Sequence, residues 1–247
     1  MQPNLTHLHE STPPWLEAEF VLTTFVTLYF LYVAVGRVSK RKATSLLIIC
    51  MCWLTFLIWL AYQHFFQQLA GFPPHFLLAI GPPFGLIIGV LIIPKSRAWI
   101  RGLPLSTLTL VHVVRVPVEL TLYSLFLYQQ IPELMTFAGR NFDVLSGLTA
   151  PVMAWLVFRQ KSISLRWLLL WNVVALGLVL NIVIHAILSA PFPFQQLAFG
   201  QPNVGVLKAP YVWLPGFIVP VVLFSHVVSL LQLISVLRRS RLSVASV

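Results

Sequence analysis

Acidic side chains are scarce in this chain: six Asp and Glu in 247 residues, against sixteen Lys and Arg. Charged residues of both signs make up 9% of the sequence, while 58% is hydrophobic. A soluble domain of this length needs far more charge to dress its surface, so a water-soluble globular protein is excluded. Cysteine is nearly absent. Cys50 and Cys52 lie two apart on one helical run, where side chains diverge, and a mutual disulfide is not expected. No Lys falls in the middle of an apolar run, which excludes a retinal Schiff base. HExxH, HxxxH, Walker A, GxSxG and CxxCH patterns are all missing. No cofactor, bound metal or catalytic residue is therefore expected, and an enzyme is the weaker reading. A metal site would need ligands from separate helices, with His112, His185 and His226 as the set.

Long apolar runs stand where the charges do not. A run of about 18 or more residues crosses a hydrocarbon core as a helix. Seven such runs are read, at 17–36, 46–69, 75–93, 105–129, 142–159, 167–189 and 212–237. The expected fold is all-α: a polytopic seven-helix membrane bundle at 17–237, with an N-terminal tail at 1–16 and a basic tail at 238–247. Thirteen of the sixteen basic residues sit on alternate connections and the C-terminal tail, among them Arg37, Lys40, Lys95, Arg97, Arg101, Arg166 and Arg238. Basic loops resist translocation, so the N-terminus is expected outside and the C-terminus inside, in a plasma (inner) membrane. That distribution also argues against nucleic acid as the partner of the net charge of +10. A secretory signal peptide is not expected, since the first twenty residues lack a basic start.

The fourth run is not wholly apolar. At 100° per residue His112, Arg115 and Glu119 fall within about a 60° arc, and Tyr123 and Gln130 extend the same stripe. One face so polar must look into the bundle or a wet cavity. Glu119, one turn beyond Arg115, is the expected partner of its charge. Depth arithmetic puts Arg115 at ~15 Å and His226 at ~16 Å from the basic end, with Asn181 at ~21 Å and His185 at ~27 Å. These residues could converge on one site. The plainer reading of each His or Asn is an interhelical hydrogen bond. Asn141 and Asp143 read as the cap and first-turn acid of the fifth helix. Arg140 reads as a cation at the outer mouth, able to meet an anionic solute.

Two further patterns bear on organisation. FQQLA occurs at 66–70 and again at 194–198, each time before a helix interrupted by Pro and Gly. Paired interrupted helices suggest a 3+1+3 parallel repeat with a binding site between the halves. The connection 190–211 is aromatic rather than polar, so it is expected to lie in the membrane interface or to fold back over the outer mouth.

RVPVEL at 115–120, MTFAGRNFDVLSGLTAP at 135–151, LSAPFPFQQLAFGQPN at 188–203 and WLPGFIVP at 213–220 together resemble an uncharacterised group of bacterial seven-span membrane proteins. That resemblance covers most of spans 4 to 7 and implies no activity and no functional residues. The topology is similar to that of the sugar-exporting SWEET proteins, but their paired Pro-Asn signature is not reproduced and a charged linker helix departs from their pattern.

The leading expectation is binding or transport of a small solute, an anion among the candidates, through an outward-facing polar pocket. His112, Arg115, Glu119, Tyr123, Arg140, Asn181, His185 and His226 are the candidate binding residues. An intramembrane enzyme acting on a lipid and a non-catalytic scaffold or receptor subunit are the alternatives. Membrane lipid is an expected partner; oligomeric state is not legible.

Overall fold

Prolines and charged flanks set the helix ends in the computed structural model, which describes residues 2–245. Helix α1 (Pro14–Gly36) starts on a proline, whose missing N–H costs nothing in a first turn. Helix α2 (Lys40–Tyr62) starts behind Ser39, whose hydroxyl accepts from the Lys42 amide. Helix α3 (Leu77–Ile92) gives way at Ile93 to the short α4 (Pro94–Ile100), turned 92° from it. Helix α5 (Leu105–Val111) passes through one 3-10 turn at His112–Val114 into α6 (Arg115–Leu127). Pro117 cannot donate to the Val113 carbonyl, and the helix tightens just before it. Helix α7 (Val144–Ala154) widens into a π turn to Arg159, and α8 runs from Leu165 to Leu188. A π turn at Leu214–Ile218 opens the last helix, α9 (Val219–Ala245). The Arg241 side chain and residues 246–247 of the expected basic tail lie outside the described residues.

Five helical stretches are long and apolar enough to cross a membrane, or six if α3 and α4 form one bent span; the 144–159 helix is apolar but shorter. Among the described residues no strand occurs. Each expected apolar run overlaps a helix or joined helical turns, but α2 begins and ends six to seven residues before the expected 46–69. Leu22, Tyr29, Ile48, Trp59, Leu86 and Ile184 stand more than half exposed, an apolar exterior that a water-soluble protein does not carry.

Helix α9 is the central element. It packs on α8, α5 and α3, while α1 packs on α2, α5 and α6. In its most apolar stretch 67% of residues are buried, against 28% in α2 and α8. The π turn of α9 is held by α2 and α3. Pro220 has no N–H for the Gly216 carbonyl, and the Trp53 indole donates to that oxygen at 2.9 Å. Trp213 returns the contact, donating to the Leu54 carbonyl at 2.9 Å. A Cβ at Gly216 would meet Leu57 Cδ1 at 2.5 Å and the Ala79 carbonyl at 3.3 Å. The two proline-interrupted helices thus lie directly against each other at this level.

The end of the bundle that carries the N-terminus is capped by two segments. Residues 190–211 fold back over it. Gln201 donates to the Phe126 and Ile131 carbonyls, Asn203 to Ala186, and the Val204 and Gly205 amides to Gln130. The N-terminal segment lies on top. Lys208 Nζ donates to the His7 and Glu10 carbonyls, both at 2.7 Å, and to Gln130 Oε1. The two FQQLA copies differ in local form: Phe66 is fully buried in a 3-10 turn, whereas Phe194 is 45% exposed in an isolated turn.

Candidate functional site: a buried charged cluster

The polar stripe of the fourth run faces inward. His112, Arg115 and Glu119 are all 2% exposed or less. The partner of Arg115 corrects the sequence expectation: it is Asp143, not Glu119. Arg115 Nε donates to Asp143 Oδ2 at 2.6 Å and Nη2 to Oδ1, a bidentate pair. Nη2 also donates to the Ala175 carbonyl at 3.0 Å, and Nη1 contacts His226 Nε2 at 3.3 Å. Asp143 stands at the head of α7 but makes no side-chain cap. Its carboxylate turns into the bundle because α7 approaches α6 closely: a Cβ at Gly147 would lie 3.0 Å from the Val116 amide nitrogen. Ser146, Gly147, Ala150 and Ala154, the small-residue face of α7, are all buried.

Asn141 ties the two carboxyl groups together. Its Nδ2 donates to Glu119 Oε1 at 2.6 Å and to the Met135 carbonyl at 3.0 Å, while its Oδ1 accepts from the Asp143 amide at 3.0 Å. On the other side of Arg115, His226 lies between the guanidinium and Asn172. A guanidinium only donates, so Nε2 of His226 accepts, and its Nδ1 carries the hydrogen that goes to Asn172 Oδ1 at 3.1 Å. Asn172 Nδ2 in turn donates to the Leu168 carbonyl. His112 stacks on His226 with ring centroids 3.9 Å apart, and Trp171 meets His112 edge-on at 5.5 Å.

Some polar atoms have no protein partner. Both ring nitrogens of His112, Oε2 of Glu119, and the hydroxyls of Ser146 and Ser229 are buried without one. The cluster therefore runs from Glu119 through Asn141, Asp143, Arg115 and His226 to His112. Its interior links are satisfied, and each end holds a protonatable group with a polar atom that no protein group meets.

The remaining candidate residues lie apart. Tyr123 stacks on Phe137 with centroids 4.7 Å apart. Asn181 donates to the Arg140 carbonyl, and His185 Nδ1 bonds the Asn181 carbonyl within its own helix. The Arg140 side chain is exposed. Among the described residues no three His, Cys, Asp or Glu side chains are placed to hold a metal ion, so His112, His185 and His226 do not converge on one. Two clefts are formed elsewhere, one of about 460 Å³ between α4 and α9 and one of about 410 Å³ on the apolar side of Trp171. Neither is lined by a charged residue of the cluster.

Four participants escaped the sequence reading: Asn141 and Asp143 in this role, Trp171 and Asn172. An intramembrane Arg demands a carboxylate, and two were within reach in sequence; spacing favoured the nearer. Asn172 lies at ~8 Å from the basic end on the same scale, within about two residues of the depth of His112, and depth alone could have flagged it.

At the capped end, Lys208 is 8% exposed. Burial pulls its ammonium down to about 8, opposed by the nearby Glu10 carboxylate.

A family model described as a domain of unknown function, DUF8737, matches residues 72–234, more than half of the chain. The chain belongs to the DUF8737 family. No curated protein and no solved structure matches it. The DUF8737 region spans α3 to most of α9, so Arg115, Asp143, His112 and His226 all lie inside it, and α1 and α2 lie before it.

Proposed function

We propose that this DUF8737 protein is a seven-span protein of the plasma membrane that binds or transports a small solute, with proton movement on the buried cluster linked to the solute. One observation carries the reading: His112 and Glu119 keep protonatable atoms in the bundle interior with no protein partner. An unpaired buried polar group costs about 1–3 kcal/mol, and intramembrane ionisable residues mark solute or proton sites by default. The bent α3–α4 pair and the shorter 144–159 helix supply the sixth and seventh spans in this reading. The charge distribution supports a basic end in the cytoplasm, and the paired interruptions of α3 and α9 support the 3+1+3 arrangement.

The saturation of Arg115 favours a second reading, a membrane scaffold or receptor subunit in which the cluster only braces the helices. A lipid-directed enzyme draws no support from the geometry.

The test uses purified protein in vesicles with an internal pH-sensitive dye, a panel of small anions and neutral solutes, and His112→Phe and Glu119→Gln variants. The expected result is solute-dependent proton movement with wild type and its loss in both variants at near-normal melting temperature. Wild-type vesicles indistinguishable from empty ones across the panel, with no solute shifting the melting temperature, leave the bracing reading standing instead.

A further inference from the structure

By sequence, thirteen Lys and Arg fall at the basic end of the bundle and no Asp or Glu does: Glu10, Glu17, Glu19 and Glu133 lie toward the opposite end, and Glu119 and Asp143 are buried in the interior. None of these cations has a carboxylate partner among the described residues, since the ion pairs there are His7–Glu10 and Arg115–Asp143. The 92° turn between α3 and α4 lays α4 across this end, with Lys95, Arg97 and Arg101 on or beside it. Between α4 and the flank of α9 lies the cleft of about 460 Å³. Its walls are apolar, with Leu91, Ile92, Ile100 and Leu231. Its rim is polar, with Arg97, Arg101 and Ser235.

The cleft is built rather than incidental. Gln232 Nε2 donates to the Ile100 and Leu103 carbonyls at 2.8 and 3.0 Å, which pins the end of α4 to α9. Arg97 Nε donates to the Leu91 carbonyl at 2.7 Å, which fixes the guanidinium at the rim. Lys42 lies 5.2 Å over the Trp99 ring and holds the far side of α4 to α2. Both the exposed Arg97 and the exposed Arg101 keep guanidinium donors for an external acceptor.

We infer that this cleft binds one anionic glycerophospholipid of the surrounding membrane, with an acyl chain along the apolar wall and the phosphate on Arg97 and Arg101. Paired guanidinium groups match phosphate oxygens in a bidentate way. The apolar wall selects a lipid over a free anion. The site is independent of the buried cluster, so it stands whatever solute the cluster takes.

The test is lipid retention. Delipidated protein in detergent is titrated with phosphatidylglycerol, phosphatidylcholine or inorganic phosphate, and read by native mass spectrometry and thermal shift. Three variants are compared with wild type: Arg97→Gln/Arg101→Gln, Leu231→Trp to fill the wall, and Lys161→Gln as a basic control away from the cleft. The expected result is one tightly held phosphatidylglycerol in wild type and in Lys161→Gln. Affinity falls by on the order of tenfold or more in the double variant and also falls in Leu231→Trp, with a cooperative unliganded melt kept in both. Equal retention of phosphatidylcholine, equal stabilisation by inorganic phosphate alone, or undiminished binding in both cleft variants overturns the site.

Discussion

Arg115 on α6 and Asp143 at the head of α7 form a bidentate ion pair, 28 residues apart in sequence and almost fully buried. Glu119, one helical turn from Arg115, is held by Asn141 instead. An Arg placed N-terminal to a Glu at this spacing is the weaker orientation on a helix. Asp143 approaches from another helix and meets both guanidinium edges at once.

Removing one partner of that pair strands the other in a low-dielectric interior. Asp143→Ala and Arg115→Ala should each lower unfolding free energy by about 3–5 kcal/mol, with substantial recovery in the double variant. Thermal and denaturant unfolding in detergent checks this. Additive losses in the double variant would show that the two side chains act separately.

Gly147 sets the distance between α6 and α7. A methyl group there would meet Val116 Cγ2 at 2.8 Å and its amide nitrogen at 3.0 Å. Gly147→Ala should therefore destabilise by about 1–3 kcal/mol despite the better helix propensity of alanine. A melting temperature at or above wild type would contradict this close packing.

Trp53 satisfies a carbonyl that Pro220 leaves open. Trp53→Phe should cost about 1–3 kcal/mol. In a Pro220→Ala background, where the backbone N–H is restored, the same substitution should cost less. A double-mutant cycle on unfolding free energy measures the difference.

His112 offers a separation of folding from function. Neither ring nitrogen has a protein partner, while the ring stacks on His226 and meets Trp171. His112→Phe keeps an aromatic ring and removes two unpaired polar atoms, so its stability should equal or exceed wild type. Its melting temperature, read beside its solute response, shows which part His112 plays.

Lys208 gives the capped end a pH dependence. Its folded pKa of about 8 lies below the ordinary 10.5. Between these values the unfolded chain holds a proton that the folded chain has released, so stability rises with pH across that window. Below about pH 8 both states are protonated and the penalty is complete. Melting temperature measured from pH 7.5 to 10 should climb relative to Lys208→Met, whose curve lacks this component.

The helices were legible because apolar length and terminal charge are local properties. A run such as 167–189 has one low-energy form in hydrocarbon, a helix that satisfies its own backbone, and α8 occupies 165–188. The inward face of His112, Arg115 and Glu119 was legible for a similar reason: helical periodicity puts them on one side, and burial of that side follows from the cost of showing it to lipid. The depth match of Arg115 with His226 followed from helical rise alone. The other members of the expected site, Asn181 and His185, share a stripe, but their hydrogen bonds go to the Arg140 and Asn181 carbonyls and not to His226.

Partner choice belongs to the tertiary structure. Sequence spacing offered Arg115 a carboxyl one turn away, and helix propensity offered Asp143 a place at a helix start. Which bond forms depends on how closely α7 can lie on α6, and that is decided by the absence of a side chain at Gly147. Likewise a proline in α9 announces an open carbonyl, but only the packing of α2 shows that Trp53 fills it. Local chemistry sets where a helix begins and which face it hides; the distance between helices, which no one-dimensional pattern encodes, sets which hidden groups meet.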